Sequence, residues 1–138
     1  MNPSIGPLML RALILSLGLW ASAPASVQAA LELVMVEEAG CVWCARWNAD
    51  IGPIYPKTEE GEAAPLRRID LREDLPEDLE LARPAVFTPT FVLVQDGVEL
   101  SRIEGYPGED FFWGLLGRML EQAEGGTYSE GDAEVTQP

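Results

Sequence analysis

Histidine is absent from the 138 residues. That removes the commonest general base, the commonest side-chain metal ligand and every dyad in which histidine activates a serine or cysteine. Basic residues are scarce, with 9 Lys and Arg against 23 Asp and Glu and a formal net charge of −14. A surface of that sign repels nucleic acid and anionic lipid, so a basic protein partner or plain solubility suits it better. Cysteine is limited to Cys41 and Cys44. A structural zinc site needs four Cys or His ligands, so neither a metal nor another cofactor is expected. Two thiols this close cannot clamp distant parts of a fold. A disulfide closing so small a loop gains little by restricting the unfolded chain. Redox chemistry is the better reason for the pair.

Long apolar runs are also missing. The longest, even counted from Leu8 to Ala21, falls short of the roughly 20 residues a bilayer span requires. It fits a signal peptide instead. Arg11 gives a weak positive start, an apolar core follows, and Val27-Gln28-Ala29 offers a cleavage site before Ala30. The alternative is an uncleaved anchor. The expected division is therefore residues 1–29 as signal peptide, 30–124 as one folded domain and 125–138 as a disordered acidic tail. Export places both cysteines where disulfides persist.

What is present is a clear alternation of elements. Leu31 to Val36 reads as a buried strand ending in the loop Glu37-Glu38-Ala39-Gly40. A helical pattern starts at Cys41 and runs through Trp47 and Ile51, with Pro53 and Pro56 to bend or end it. Thr58 to Ala64 is polar and reads as a loop, Pro65 to Leu71 as a second strand, and Glu77 to Ala82 as a short helix at best. Phe91 to Gln95, Asp96-Gly97 and Val98 to Glu104 form a hairpin signature. Pro107 to Asp110 opens a last helix with apolar residues at helical spacing from Phe111 to Leu120. A strand–helix–strand unit makes a parallel pair, and the hairpin adds antiparallel strands.

Cys41-Val42-Trp43-Cys44 sits where the first strand meets the first helix. A cysteine in the first turn faces unpaired N–H groups and the positive end of the helix dipole, which favour thiolate over thiol. The second cysteine, one turn on, lies on the same face and can close a disulfide. Cys41 is expected to attack, and Cys44 to resolve the mixed disulfide.

With these residues the chain resembles the thioredoxin superfamily. The resemblance covers Leu31 to about Glu124 and rests on three segments. They are the strand–CxxC–helix unit, the run Phe87-Thr88-Pro89-Thr90-Phe91 leading into the hairpin, and Gly105 before the terminal helix. It implies an α/β thioredoxin fold: a four-stranded mixed sheet flanked by helices. It further implies that Pro89 is cis beside the redox pair, and that Thr88, Pro89 and the exposed Trp43 contact an extended substrate. Trp47 is expected in the core.

Departures from the family pattern are informative. The buried aspartate and lysine that serve the resolving thiol fall on Met35 and Leu66. Glu37 and Glu38 are then candidate proton acceptors, or merely solvated charges. The helix proline of the family falls on Ala49. Within the superfamily the chain is most similar to the periplasmic thioredoxin-like proteins of bacterial sulfur-oxidation systems. That resemblance implies a periplasmic partner with a reactive cysteine, such as a sulfur-carrier protein, and a membrane thiol transporter as reductant. A reductase is favoured over an oxidant, because Val-Trp between the cysteines and the acidic surface disfavour a thiolate. A redox-sensing binding module with little turnover stays open as an alternative.

Overall fold

A computed structural model describes residues 30–125. The expected signal peptide, and the expected tail beyond Gly125, lie outside the described residues. The elements in chain order are β1 (Leu31–Glu37), α1 (Val42–Asp50), a 3-10 turn (Tyr55–Lys57), α2 (Glu59–Ala63), β2 (Leu66–Asp70), β3 (Thr90–Gln95), β4 (Val98–Glu104) and α3 (Glu109–Glu124).

The strands form one sheet in the order β2-β1-β3-β4. β1 runs parallel to β2, with Met35 beside Arg68 and Glu37 beside Asp70. It runs antiparallel to β3, with Val36 beside Thr90. The β3–β4 hairpin closes through Asp96-Gly97, both at positive φ, as the Asp-Gly signature requires. This is the four-stranded mixed sheet expected from the sequence.

Side-chain alternation sends Leu33, Met35, Phe91 and Leu93 to one face, where they pack with Trp47, Ile51, Tyr55, Phe112 and Leu116. Helices α1 and α3 supply that cover. Trp47 is fully buried among Tyr55, Phe91 and Phe112, with ring centroids 5.2–6.1 Å away. Each such side chain contributes about 1.5–3 kcal/mol through burial. Val34, Val92 and Val94 face the other way, onto Leu79 with Ile69 and Leu81 beside it. An irregular segment covers that second face.

Two expected elements are corrected. Thr58 to Ala64 is not a loop, because Glu59–Ala63 forms α2. The Thr58 hydroxyl accepts from the Gly61 N–H at 3.1 Å and donates to the Tyr55 carbonyl at 2.8 Å, capping the helix. Glu59, Glu60 and Glu62 in its first turn suit the positive end of the dipole. Glu77 to Ala82 is not a helix. The Glu80 N–H donates to the Gly97 carbonyl at 2.8 Å, and the Glu99 N–H to the Glu80 carbonyl at 2.9 Å. The backbone there is spent on the hairpin edge instead.

Three loops converge at one end of the sheet. The pairing of Val36 with Thr90, and of Thr90 with Glu104, brings together the segments after β1, before β3 and after β4.

Candidate functional site

Cys41 caps α1. Its backbone is extended, and its sulfur accepts the Cys44 N–H at 3.0 Å. The first turn of α1 carries no acidic residue to offset the positive end of the dipole. Cys41 and Cys44 form a disulfide. The two sulfurs are not equivalent in exposure: Cys41 is partly open to solvent, whereas Cys44 is 3% exposed and packs into the main core. Trp43, between them, is 56% exposed, as the sequence implied. α1 stops at Asp50, ahead of Pro53, so the prolines close the helix rather than bend it.

The Thr88–Pro89 peptide bond is cis. Pro89 is buried, and its carbonyl accepts the Gly105 N–H at 2.7 Å, which fastens the loop before β3 to the end of β4. The Thr88 hydroxyl donates to a Glu38 carboxylate oxygen at 3.1 Å. Glu38 also accepts from the Arg72 guanidinium at 2.9 Å, and its carbonyl accepts the Cys41 N–H at 3.3 Å. One loop glutamate therefore touches the redox loop, the proline loop and the segment after β2. The sequence did not reveal that arrangement, because Glu38 and Thr88 are 50 residues apart.

Met35 is buried where the family pattern has its aspartate. Its register partner is Arg68, not Leu66, which pairs with Leu33. Arg68 donates to Glu37 at 2.9 and 3.0 Å and to the Asn48 side-chain oxygen at 2.7 Å, and lies 5.6 Å from the Trp47 ring centroid. A cation thus does sit under α1, two residues from the position that alignment indicated. Both candidate carboxylates are held in ion pairs, Glu37 by Arg68 and Glu38 by Arg72. Among the described residues, no cluster of three or more His, Cys, Asp or Glu side chains is placed to hold a metal ion.

A disulfide capping a helix after a buried strand, with a cis-proline loop at the same sheet end, defines a thiol–disulfide oxidoreductase of the thioredoxin type. The periplasmic thioredoxin SoxS from Paracoccus pantotrophus, solved in reduced form, is 59% identical over 67% of this chain and 98% of its own, with a TM-score of 0.66. The chain belongs to the thioredoxin superfamily. Thioredoxins of Malassezia sympodialis and Fasciola hepatica are more distant. They show 16% and 20% identity and TM-scores of 0.47 and 0.49, each over 67% of this chain and over 76% and 83% of their own. No family model and no curated protein matches the chain.

Proposed function

We propose that this oxidoreductase works in the periplasm, where it reduces a disulfide or persulfide on a partner protein. The observation that carries the reading is the asymmetry of the pair: Cys41 is partly open and caps α1, and Cys44 is 3% exposed one turn inside. In the dithiol form, the Cys41 thiolate attacks one sulfur of the partner bond. A new disulfide joins Cys41 to that sulfur, and the partner's other sulfur leaves as a thiolate and takes up a proton. Cys44, once deprotonated, attacks the Cys41 sulfur and releases the partner's second thiol, or hydrosulfide where the partner bond was a persulfide attacked at its outer sulfur. Two electrons pass to the partner, and the pair ends as the disulfide seen here. A membrane thiol transporter would restore the dithiol.

Thr88, Pro89 and Trp43 would line the path of an extended partner segment, with backbone hydrogen bonds at Thr88. The similarity to a periplasmic SoxS supports this location. A sulfur-carrier protein with a reactive cysteine is the partner we propose. The test is covalent trapping with purified variants in a periplasmic extract. Cys44→Ser should accumulate a mixed disulfide through Cys41, and Cys41→Ser should accumulate none. An adduct with Cys41→Ser alone reverses the roles. A pair that equilibrates with glutathione near the strong oxidants, at roughly −120 mV, overturns the reductase direction.

A further inference from the structure

Behind the redox end lies an open cavity of about 280 Å³, on the sheet face turned away from α1. Val36, Ile69, Leu71, Leu75, Leu81 and Ala85 supply its apolar wall, and Asp70 and Glu73 belong to the same lining. The irregular segment that crosses this face supplies Leu75, Leu81, Pro84 and Ala85 to the cavity, opposite Val36 of β1 and Ile69 of β2. Its volume is at the small end for ligand sites, which suits one or two apolar side chains better than a cofactor.

Two features connect it to the disulfide. Ala85 runs directly into Val86 and Phe87, which are 67% and 60% exposed, and then into Thr88 and Pro89. On the other side, the Leu71 N–H donates to the Glu37 carbonyl at 2.8 Å, and Glu38 receives the Cys41 N–H. Val86 and Phe87 thus form an exposed apolar link between Thr88 and the cavity wall at Ala85. Thr88 follows Ala85 by three residues, and three to five residues of an extended partner segment reach about 10–18 Å.

The surrounding charge selects the occupant. A second cleft shares Ile69, Asp70 and Glu73 with the cavity and adds Glu37, Glu38 and Asp74. Among the described residues, Asp70, Glu73 and Asp74 have no cation within ion-pair distance. Arg67 and Arg68 in the same cleft are occupied by Asp78 and Glu37. The rim is therefore acidic. Residues 126–138 of this chain hold three acids and no Lys or Arg, so this rim repels them.

We infer that this cavity is a second anchoring site for the partner protein, taking a bulky apolar side chain with a basic neighbour, three to five residues from the partner's reactive cysteine. The inference rests on the reading that an extended partner segment passes Thr88 to reach Cys41. It predicts that affinity for a partner is decided partly at a face remote from the sulfur chemistry.

Binding of synthetic peptides to the folded protein tests it, using peptides in which serine replaces the reactive cysteine. One series carries Leu-Lys four residues from the serine on either side, a second Leu-Glu, a third Gly-Gly. Leu-Lys peptides should bind about tenfold tighter than Gly-Gly, as expected for burying one leucine side chain. Leu75→Gln and Glu73→Lys, both at exposed positions, should cut that preference to under threefold. Both variants should reduce a small aromatic disulfide at the wild-type rate. Equal binding of the three series, or a preference that survives both substitutions, overturns the inference. Failure of the wild type to reduce the small disulfide would instead count against the reductase reading, because peptide binding needs no turnover.

Discussion

The Thr88 hydroxyl donates a hydrogen bond to the Glu38 carboxylate at 3.1 Å, joining the cis-proline loop to the loop that carries the redox pair. Glu38 is half-buried, and the same carboxylate holds the exposed Arg72. The Arg72 contact is worth little, because an exposed long side chain gains little from an ion pair. The Thr88 contact is the one with consequences. Glu38→Ala and Thr88→Val should each cost about 1 kcal/mol of stability. They should also raise KM for a protein disulfide by roughly threefold or more while leaving the rate with a small aromatic disulfide unchanged. Glu38→Gln keeps an acceptor for Thr88 and should recover most of the loss. Steady-state kinetics on the two substrates, with urea titrations of each variant, checks this.

Glu99 and Arg102 on β4 form an ion pair in which both side chains are 6% exposed. The Glu99 carboxylate also receives the Ala82 N–H at 2.8 Å, and the Arg102 guanidinium donates to the Arg83 carbonyl. Together they pin the irregular segment that leads to Val86 and Thr88. Removing one partner strands a buried charge, so Arg102→Met should cost about 3–5 kcal/mol. Burial pushes the Glu99 carboxyl up, but the Arg102 guanidinium and the Ala82 N–H outweigh it, and the group lies below the ordinary glutamate value of 4.5. A lowered folded value means that this stabilisation is fully present above pH 4.5 and is lost as pH falls through the folded value. The gap between wild type and Glu99→Gln should therefore be constant from pH 7 down to about 5 and shrink in more acid solution. Urea midpoints across that range measure it.

Tyr106 behaves with the opposite sign. Its hydroxyl donates to the Asp50 carboxylate at 3.1 Å, and burial together with that bond pushes its ionisation up from 10.0 to about 12. A raised folded value contributes stability that is fully present below pH 10 and lost as pH rises through about 12. Tyr106→Phe should be less stable than wild type at pH 9 by about 1 kcal/mol, for the lost hydrogen bond. The difference should close between pH 10 and 12 as the wild type gives up its share. Chemical unfolding at pH 9 and at pH 11.5 distinguishes this from a uniform offset.

Gly97 has φ +84°, and a Cβ there would collide with the Asp78 carbonyl. The close approach lets the Glu80 N–H reach the Gly97 carbonyl and tie the irregular segment to the hairpin. Gly97→Ala should lose about 2 kcal/mol or more, through strain at positive φ and the displaced segment. Amide exchange at Glu80 and Glu99 should rise first.

Local chemistry made much of this protein legible in its sequence. The continuous apolar runs of β1 and β3 reflect strands covered on both faces, and Asp96-Gly97 fixes its turn through positive φ. Cys41 at the first turn of a helix, with Cys44 on the same face, follows from helix spacing alone. α2 was missed because it is a single turn with no apolar periodicity, although Thr58 followed by acidic residues is an N-cap signature. The segment after Glu77 was misread because its partner, the β4 edge, lies some twenty residues on.

The sequence by itself determined the pair, its place at a helix start and the succession of strands and helices along the chain, because propensity, turn chemistry and spacing act over a few residues. Only the tertiary structure decided that Arg68 rather than residue 66 stands beside Met35, and that Glu38 holds Thr88. Those facts depend on register and on contacts across about 30 to 50 residues, where a shift of one position turns a side chain to the other face.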